Sequence, residues 1–293
     1  MTEPVMYFEN LQKSFKENKV LRGITAQANV GDVIGLIGLN GAGKTTLLET
    51  ALGFCPPTNG AAYLFGKESS AHLDEATKKR VGFVPQKDEL LDNIKGQRYL
   101  NLISEFYETW NHELVARLSK EWDVPLDKLI NSLSVGQRQK LSILSALGHE
   151  PELIILDEPV ASLDPMARRQ FLKELVDIAA SQTRTIIFST HIVSDLERVA
   201  SRVWLMKDGH IEINDELDNL KEKCARIHLP PKVEVPEAFK NSQLIHHRVE
   251  QDTNILLFRQ FDDAQLKDLE NQTGASMEPE WLSLEDIFLE IHQ

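Results

Sequence analysis

The stretch GLIGLNGAGKTTLLETALG, residues 35 to 53, decides the fold of this chain. Four glycines fall within the nine residues from Gly35 to Gly43, and a lysine and two threonines follow directly. The apolar residues before the loop are typical of a β-strand, and the spaced leucines after it are typical of a helix. The glycines are therefore predicted to form a turn between a buried strand and a helix.

The eight residues from Gly38 to Thr45, GLNGAGKT, fit the pattern GxxxxGK[ST] of a phosphate-binding loop. Glycines let the backbone N–H groups point inwards, and the following helix adds the positive end of its dipole, so the loop binds an anion. Lys44 is expected to contact the β- and γ-phosphates of a nucleotide, and the Thr45 hydroxyl to ligate Mg²⁺. The other residues expected to contact the nucleotide here are Asn40, Gly41, Ala42, Gly43 and Thr46.

Composition and charge exclude several classes of function and location. The 293 residues, 42% hydrophobic and 26% charged, suit one large globular domain and a smaller one. A net charge of −13 argues against nucleic acid as a partner, because a phosphate backbone is bound by clustered basic residues. Two distant cysteines indicate neither a disulfide framework nor a zinc site, which fits a reducing cytoplasm. The chain has no secretion-signal pattern and no membrane-spanning apolar run, so we expect it neither to be secreted nor to span a membrane.

Strand-like and helix-like segments alternate along the chain, which predicts an α/β fold with a mostly parallel sheet. Short strand-like runs around the glycine loop predict an N-terminal antiparallel β subdomain. The helix-prone segment over about 88–149 predicts a helical subdomain. After residue 215 the chain becomes punctuated by prolines, with both strand-like and helix-like pieces. We therefore predict a nucleotide-binding domain over 1–215 and a small α+β accessory domain over 216–293.

Two further motifs lie between the loop and that boundary. LIILDEP, residues 153–159, places two carboxylates at the end of a buried strand. Asp157 is expected to hold Mg²⁺ and Glu158 to polarise an attacking water, although such a pair alone is as often structural. LSVGQ, residues 133–137, opens a helix with a serine hydroxyl and a glycine amide. This arrangement indicates either a second anion site or simply a capped helix start.

With these motifs in this order, residues from about Met6 to Ile213 resemble an ATP-binding cassette (ABC) protein, the nucleotide-binding subunit of an ABC transporter. The family signature reads LSGGQ; this chain has Val135 in place of a glycine and retains Ser134, Gly136 and Gln137. The resemblance implies a P-loop NTPase that hydrolyses ATP with Mg²⁺. It also implies an ATP sandwich, in which Lys44 of one copy faces the signature serine of the other.

Other positions resemble family residues in turn. Gln86 in VGFVPQ resembles the glutamine that senses Mg²⁺ and water, and His191 in FSTH resembles the switch histidine. Asp164 in ASLDP resembles the aspartate of the dimer seam, and Phe15 in LQKSF resembles the aromatic that stacks on adenine. The resemblance thus implies catalytic Glu158, His191 and Gln86, metal-binding Thr45, Gln86 and Asp157, and nucleotide contacts that include Phe15, Ser134, Gly136, Gln137 and Asp164.

The resemblance implies an ATPase subunit that drives a separate integral membrane permease, as a homodimer or as a heterodimer with a paralogous ATPase. Such a subunit is cytoplasmic and peripheral on the inner face of the cell membrane through its partner. SEFYETWN (104–111) and LSLEDIFLEI (282–291) resemble export-type members related to drug and bacteriocin exporters. The alternative is an ABC ATPase without a membrane partner, as in iron–sulfur assembly. The single phosphate loop disfavours a two-cassette translation factor, and the lack of a long heptad array disfavours a DNA-repair member.

Overall fold

The computed structural model describes residues 3–69, 73–180, 183–240 and 243–292. The first part of the chain carries most strands that surround the phosphate loop. Its elements are β1 (Met6–Phe15), β2 (Asn18–Ala28), β3 (Val33–Gly38), α1 (Lys44–Ala51), β4 (Asn59–Leu64), β5 (Lys67–Glu68), α2 (Glu75–Lys78) and β6 (Val81–Val84). Helices then dominate, as α3 (Gly96–Ser104), α4 (His112–Glu121) and α5 (Val135–Leu147).

The chain then returns to the sheet and ends in a mixed C-terminal region. The returning elements are β7 (Leu153–Leu156), α6 (Pro165–Ala179), β8 (Thr185–Thr190), α7 (Val193–Val199), β9 (Arg202–Lys207) and β10 (His210–Glu216). The C-terminal elements are α8 (Leu217–Lys223), β11 (Ala225–His228), β12 (Leu244–Glu250), β13 (Thr253–Phe258), α9 (Asp263–Thr273), β14 (Glu280–Trp281) and α10 (Leu284–His292).

The central sheet has the strand order β10-β9-β3-β8-β7-β6. Its neighbours pair in parallel except β10, which runs antiparallel to β9 at the edge. A second, antiparallel sheet has the order β2-β1-β4-β5. The predicted α/β fold, with a mostly parallel sheet, an N-terminal antiparallel sheet and a helical part, is confirmed.

Strand order and burial explain where a ligand can bind. Every residue of β3, β7 and β8 is buried, as expected for parallel strands covered by other elements on both faces. The loops after β3, β6, β7 and β8 all leave the sheet from its carboxyl edge. In open α/β sheets ligands bind at this edge, so the fold gathers the loops that carry the sequence motifs.

Apolar side chains cover both faces of the central sheet. On one face α1 and the antiparallel sheet pack against it, and Phe8 of β1 meets Trp204 of β9 edge to face at 6.0 Å between ring centroids. On the other face α5, α6 and α7 pack through residues such as Leu144, Phe171 and Leu196. The phosphate loop therefore projects from a sheet that is packed against other elements on both faces.

The C-terminal region has an antiparallel sheet of order β12-β13-β11-β14 and its own apolar cluster, which includes Ile227 and Phe258. Helix α10 instead joins the main core, where Ile287 and Phe288 belong to the same cluster as Leu196 of α7. The domain boundary at 215/216 stays a prediction, and the structure adds that the last helix packs back against the nucleotide-binding part. Within the described ranges, no helix is both long and apolar enough to cross a membrane.

A buried carboxylate ties α10 to the C-terminal sheet. Glu290 accepts hydrogen bonds from Arg226 of β11 and Arg248 of β12, each at 2.6 Å. Burial raises the pKa of Glu290, but the two arginines outweigh it and hold that pKa below its ordinary value. Because α10 also contacts α7, it links the C-terminal sheet to the helix that follows the predicted switch histidine.

His149 fixes the end of α5 against the sheet. Its ring stacks on Tyr107 at 3.9 Å between centroids, and its Nε2–H donates to the Val81 carbonyl at 3.2 Å. Burial lowers the pKa of His149 from 6.5 to about 4, although the bond to Val81 partly opposes the shift. The folded protein therefore holds this histidine neutral.

We expect His149 to make the protein acid-sensitive. The unfolded chain binds the proton near pH 6.5 and the folded chain only near pH 4. The stability that this histidine contributes is therefore complete above pH 6.5 and is lost as the pH falls towards 4. Urea unfolding measures the free energy of unfolding of wild type and of His149→Gln, which keeps an N–H donor. Between pH 7 and 4.5 the wild type should lose about 1–2 kcal/mol more of that free energy than His149→Gln, after allowance for solvent screening. His112→Gln, at an exposed histidine, is the control; equal acid losses in wild type and His149→Gln would contradict the prediction.

Candidate nucleotide site

The phosphate loop runs from the end of β3 to the start of α1. A Cβ added to Gly38 would lie 2.6 Å from the Met206 carbonyl oxygen of β9, so the loop leaves the sheet where no side chain fits. Gly43 precedes α1 with a φ of 106°, a left-handed conformation that residues with a Cβ rarely adopt. Steric constraints therefore explain why two of the predicted loop positions, 38 and 43, carry glycine.

The loop opens onto a cavity of about 470 Å³. The residues that line it come from the β2 strand, the loop, α1 and the segments after β6 and β7, and they are Asn18, Val20, Asn40, Gly41, Gly43, Lys44, Thr45, Thr46, Gln86 and Glu158. Of the residues from Asn40 to Thr46 that are predicted to contact the nucleotide, Ala42 alone is missing from this lining, because its side chain packs in the core beside α1. The structure thus brings Gln86 and Glu158 to the phosphate loop.

Lys44 is buried at the floor of this cavity. Its Nζ donates to the Gly38 carbonyl at 2.8 Å and lies 3.4 Å from Glu158 Oε1. A buried ammonium group needs such partners, because desolvation would otherwise disfavour its charge. These contacts hold the ammonium group at the loop, where it can donate charge-assisted hydrogen bonds to the phosphate oxygens of a nucleotide.

The two carboxylates of LDEP follow β7 and are fixed by a serine on β8. Ser189 Oγ donates to Asp157 Oδ1 at 2.5 Å and accepts the Glu158 backbone N–H at 2.8 Å. The contact follows from the register, in which Leu156 pairs with Phe188, one residue before each partner. Glu158 has a φ of 49°, a left-handed conformation that costs energy outside glycine and is typical of functional sites.

Glu158 lies between a cation and a hydrogen-bond donor. One carboxylate oxygen faces Lys44, and the other accepts the Nδ1–H of His191 at 2.9 Å. The Glu158 side chain is 5% exposed, whereas that of His191 is 48% exposed. A nearly dry, oriented carboxylate beside a phosphate-binding lysine is suited to accept a proton from water.

The oxygen donors near the loop fit Mg²⁺. Asp157 is buried and oriented by Ser189, and Thr45 and Gln86 line the adjacent cavity. Among the described residues, no three His, Cys, Asp or Glu side chains group closely enough to hold a metal by themselves. Mg²⁺ is commonly bound by one or two carboxylates together with nucleotide phosphates, so this sparse donor set suits it. Burial, and after it the charges of the nearby Asp157 and Glu89, raise the pKa of Glu49 above its ordinary value.

The signature residues lie outside the cavity. Ser134 begins α5 with a capping box: its Oγ accepts the Gln137 N–H at 3.3 Å, and the Gln137 side chain accepts the Ser134 N–H at 3.1 Å. Gly136 lies against the loop before α6, where an added Cβ would be 3.2 Å from the Ser162 carbonyl oxygen. Ser134 is exposed and does not line the Lys44 cavity, so one chain does not bring the signature residues to the phosphate loop.

Two other predicted contacts also lie apart from the cavity. Asp164 caps α6 by accepting the N–H groups of Met166 and Ala167, and these bonds, led by that from Ala167, lower its pKa. Phe15 ends β1 as an exposed ring beneath the Lys13 ammonium, 4.8 Å from the ring centroid. Asn18, the strand partner of Phe15, does line the cavity. The roles of Asp164 and Phe15 in nucleotide binding stay predictions.

Sequence reasoning missed Ser189, Asn18 and Val20. Ser189 lies two residues before His191, and only the pairing of β7 with β8 reveals that it faces Asp157. Asn18 and Val20 follow the β1–β2 turn and reach the cavity because β2 passes beside the phosphate loop. Their sequence carries no motif that could have indicated this.

Comparison with known proteins agrees with the site. A protein-family model described as ABC transporter matches residues 21–161. The chain is 31% identical to the bacitracin transport ATP-binding protein BcrA of Enterococcus faecalis, over 72% of this chain and 70% of that protein. It is 32% identical to a Nod factor export ATP-binding protein I of Burkholderia orbicola (strain AU 1054), over 69% and 67%.

Solved structures give the same assignment. A structure described as an ATP binding subunit of an ABC transporter superposes with a TM-score of 0.67 and 26% identity, covering 74% of this chain and 92% of that one. The matched family region contains the phosphate loop, the signature and both carboxylates of LDEP. The chain therefore belongs to the ABC transporter family, as one of its ATP-binding, ATP-hydrolysing subunits.

Proposed function

We propose that this subunit hydrolyses MgATP between two cassettes and drives export through a separate integral membrane permease, on the inner face of the cell membrane. The observation that carries the proposal is Glu158, held between Lys44 and His191 at the phosphate-loop cavity. This arrangement supports ATP hydrolysis, whereas a module that only bound ATP would not need the oriented carboxylate.

The chemistry assigned to the site follows from its contacts. Glu158 accepts the proton of a water that attacks the γ-phosphorus, and His191 keeps the carboxylate oriented through its Nδ1–H. Lys44 offsets the negative charge of the phosphates. Mg²⁺, held by Asp157, Thr45 and Gln86, would neutralise further charge on the phosphate oxygens.

The exposed signature supports a two-copy site. Ser134, at the positive end of α5, is exposed and lies outside the cavity that holds Lys44, so it is available to the nucleotide of another cassette. Val135, which replaces a family glycine, is 65% exposed and leaves the capping box intact. Because this chain carries every catalytic position, we propose a homodimer, with a heterodimer of paralogous ATPases as the variant.

A groove that is apolar at one end and carries Glu49 and Glu89 at the other supports the permease as partner. Two cavities of about 460 and 440 Å³ adjoin between α1, β6, α3 and α5, and both are lined by Phe54, Phe83 and Ser145. Phe54 is 65% exposed and its ring lies 5.6 Å from that of Phe83. Exposed apolar surface of this kind marks binding to another protein.

The direction of transport is inferred from relatives. The proteins named for bacitracin transport and for Nod factor export are both similar to this chain over most of its length. We extend export to this chain on that similarity, together with the LSLEDIFLEI segment. The transported compound is selected by the permease.

Membrane association in cells tests the partner. We expect the wild-type chain to sediment with membranes, and Phe54→Asp, which places a charge in the groove, to shift about tenfold towards the supernatant while its ATP affinity stays within twofold. Val249→Asp, at an exposed apolar residue of β12, is the matched control and should sediment as wild type. Equal sedimentation of Phe54→Asp and wild type, or equal binding of the chain to protein-free vesicles of the same lipids, would contradict the proposal.

A further inference from the structure

An ion pair with a buried carboxylate and a partly exposed guanidinium joins α6, which follows Asp164, to α7, which follows His191. Arg168 in the first turn of α6 contacts Asp195 in the first turn of α7 through its guanidinium. Asp195 is only 4% exposed, so its charge is withdrawn from water. Burying a carboxylate without a partner of opposite charge costs free energy, and Arg168 supplies that partner.

The position of His191 depends on α7. The imidazole is half exposed and its recorded hydrogen bond is to Glu158, so packing around the ring does little to hold it. Helix α7 begins two residues later, and its first residue is preceded by Ile192, which gives no side-chain cap. The histidine is therefore placed on one side by β8, which ends at Thr190 and whose Thr190 Oγ1 accepts the Ile192 N–H at 3.0 Å, and on the other side by the first turn of α7.

Two contacts anchor that turn. Leu196 lies directly on β3: a Cβ added to Gly35 would be 2.2 Å from its Cγ. Asp195, the neighbouring residue, donates its N–H to the Ile192 carbonyl at 3.2 Å and holds Arg168 through its carboxylate. Leu196 sets the distance of α7 from the sheet, and the ion pair sets its position along α6.

Arg168 also contacts Asp164, the residue predicted to lie at the dimer seam. The Arg168 N–H donates to the Asp164 carbonyl at 2.9 Å, within the turn that the Asp164 carboxylate caps. A series of contacts thus runs from Asp164 through the backbone and guanidinium of Arg168 to the Asp195 carboxylate in the turn that follows His191.

We propose that Arg168 and Asp195 are positioning residues for His191: their ion pair holds α7 so that the His191 Nδ1–H reaches Glu158. The inference rests on the proposed role of His191 in hydrolysis. It assigns no contact with ATP to either residue. Loss of the pair therefore lowers kcat and leaves nucleotide binding in the Lys44 cavity unchanged.

A double-mutant cycle tests the proposal. Asp195→Asn keeps the side-chain shape and removes the charge; we expect kcat to fall about tenfold, with KM for ATP within twofold of wild type. His191→Ala should lower kcat about 10²-fold. In the His191→Ala background, Asp195→Asn should lower kcat less than twofold further, because the pair acts through the histidine. Single-turnover assays with labelled ATP resolve these low rates.

Matched variants separate positioning from stability. Glu174→Gln removes another buried carboxylate of α6, which pairs with Arg117 of α4 at 2.8 Å, and should leave kcat within twofold. Arg168→Lys, which keeps the positive charge, should retain kcat within about threefold. If Asp195→Asn does not fold, Arg168→Gln/Asp195→Asn leaves no charge unpaired and replaces it in the same cycle.

The outcomes distinguish this inference from the proposed function. A kcat loss that is as large in the His191→Ala background as in wild type would make the pair merely structural and overturn the proposal. Unchanged kcat in Asp195→Asn would also overturn it. If His191→Ala alone keeps the wild-type kcat, the histidine has no role in hydrolysis, and both statements fail together.

Discussion

Replacing Glu158 with glutamine is expected to slow ATP hydrolysis about 10²- to 10⁴-fold, which corresponds to about 3–5 kcal/mol of barrier. The amide keeps the size of the side chain and one acceptor oxygen, but it cannot take a proton from water. Lys44, Thr45 and Asp157 are unchanged, so ATP and Mg²⁺ should bind as before. Phosphate release at saturating ATP, together with equilibrium nucleotide affinity, measures both halves of the prediction.

The control for this variant lies at the other end of the same strand. Glu152→Gln removes a carboxylate that precedes β7 and pairs with Arg80 at 2.6 Å on the surface. It should hydrolyse ATP within about twofold of wild type, because exposed pairs contribute little. Near wild-type hydrolysis by Glu158→Gln would remove Glu158 from the mechanism.

Lys44→Ala is expected to weaken ATP binding about 10²- to 10⁴-fold. The substitution removes charge-assisted hydrogen bonds to the phosphates, which contribute about 1.5–3 kcal/mol each. It also leaves the buried Glu158 carboxylate without the cation that lies 3.4 Å away. The unpaired negative charge then repels the phosphates of the nucleotide. Calorimetric titration with ATP and Mg²⁺ measures the change.

Lys67→Ala provides the matched control, since Lys67 is an exposed lysine whose partner, Asp74, lies at 3.0 Å on the surface. Its ATP affinity should equal that of wild type. An affinity of Lys44→Ala within twofold of wild type would mean that the glycine loop is not the phosphate site.

The parts of the fold and site that sequence predicts are those whose physical cause is local. Gly43 is required by the left-handed backbone of the turn itself, and Lys44 follows it on the chain, whereas the need for Gly38 comes from the approach of β9 and is not local. The carboxylates of LDEP end a strand that is apolar throughout, which identifies it as a buried parallel strand. Since parallel strands end at one edge, the meeting of this motif with the loop could be predicted.

The parts that sequence did not predict depend on contacts between distant segments. Ser189 orients both acidic residues only because β8 pairs with β7 in one register. Asp195 lies in a short helix where charged residues are ordinarily exposed, so neither its burial nor its pairing with Arg168 of α6 has a sequence signal. The segment that forms α10 was assigned to the accessory domain, yet its apolar face packs on α7, which no local pattern specifies.

The central claim is that Glu158 is the base of a site that two copies complete. Light scattering of Glu158→Gln during gel filtration with ATP and Mg²⁺ tests it most directly. The account predicts a mass twice the 33.2 kDa of one chain, reverting to one chain when Ser134→Glu is added. A Glu158→Gln protein that binds ATP, fails to hydrolyse it and still elutes at the mass of a single chain would contradict the account.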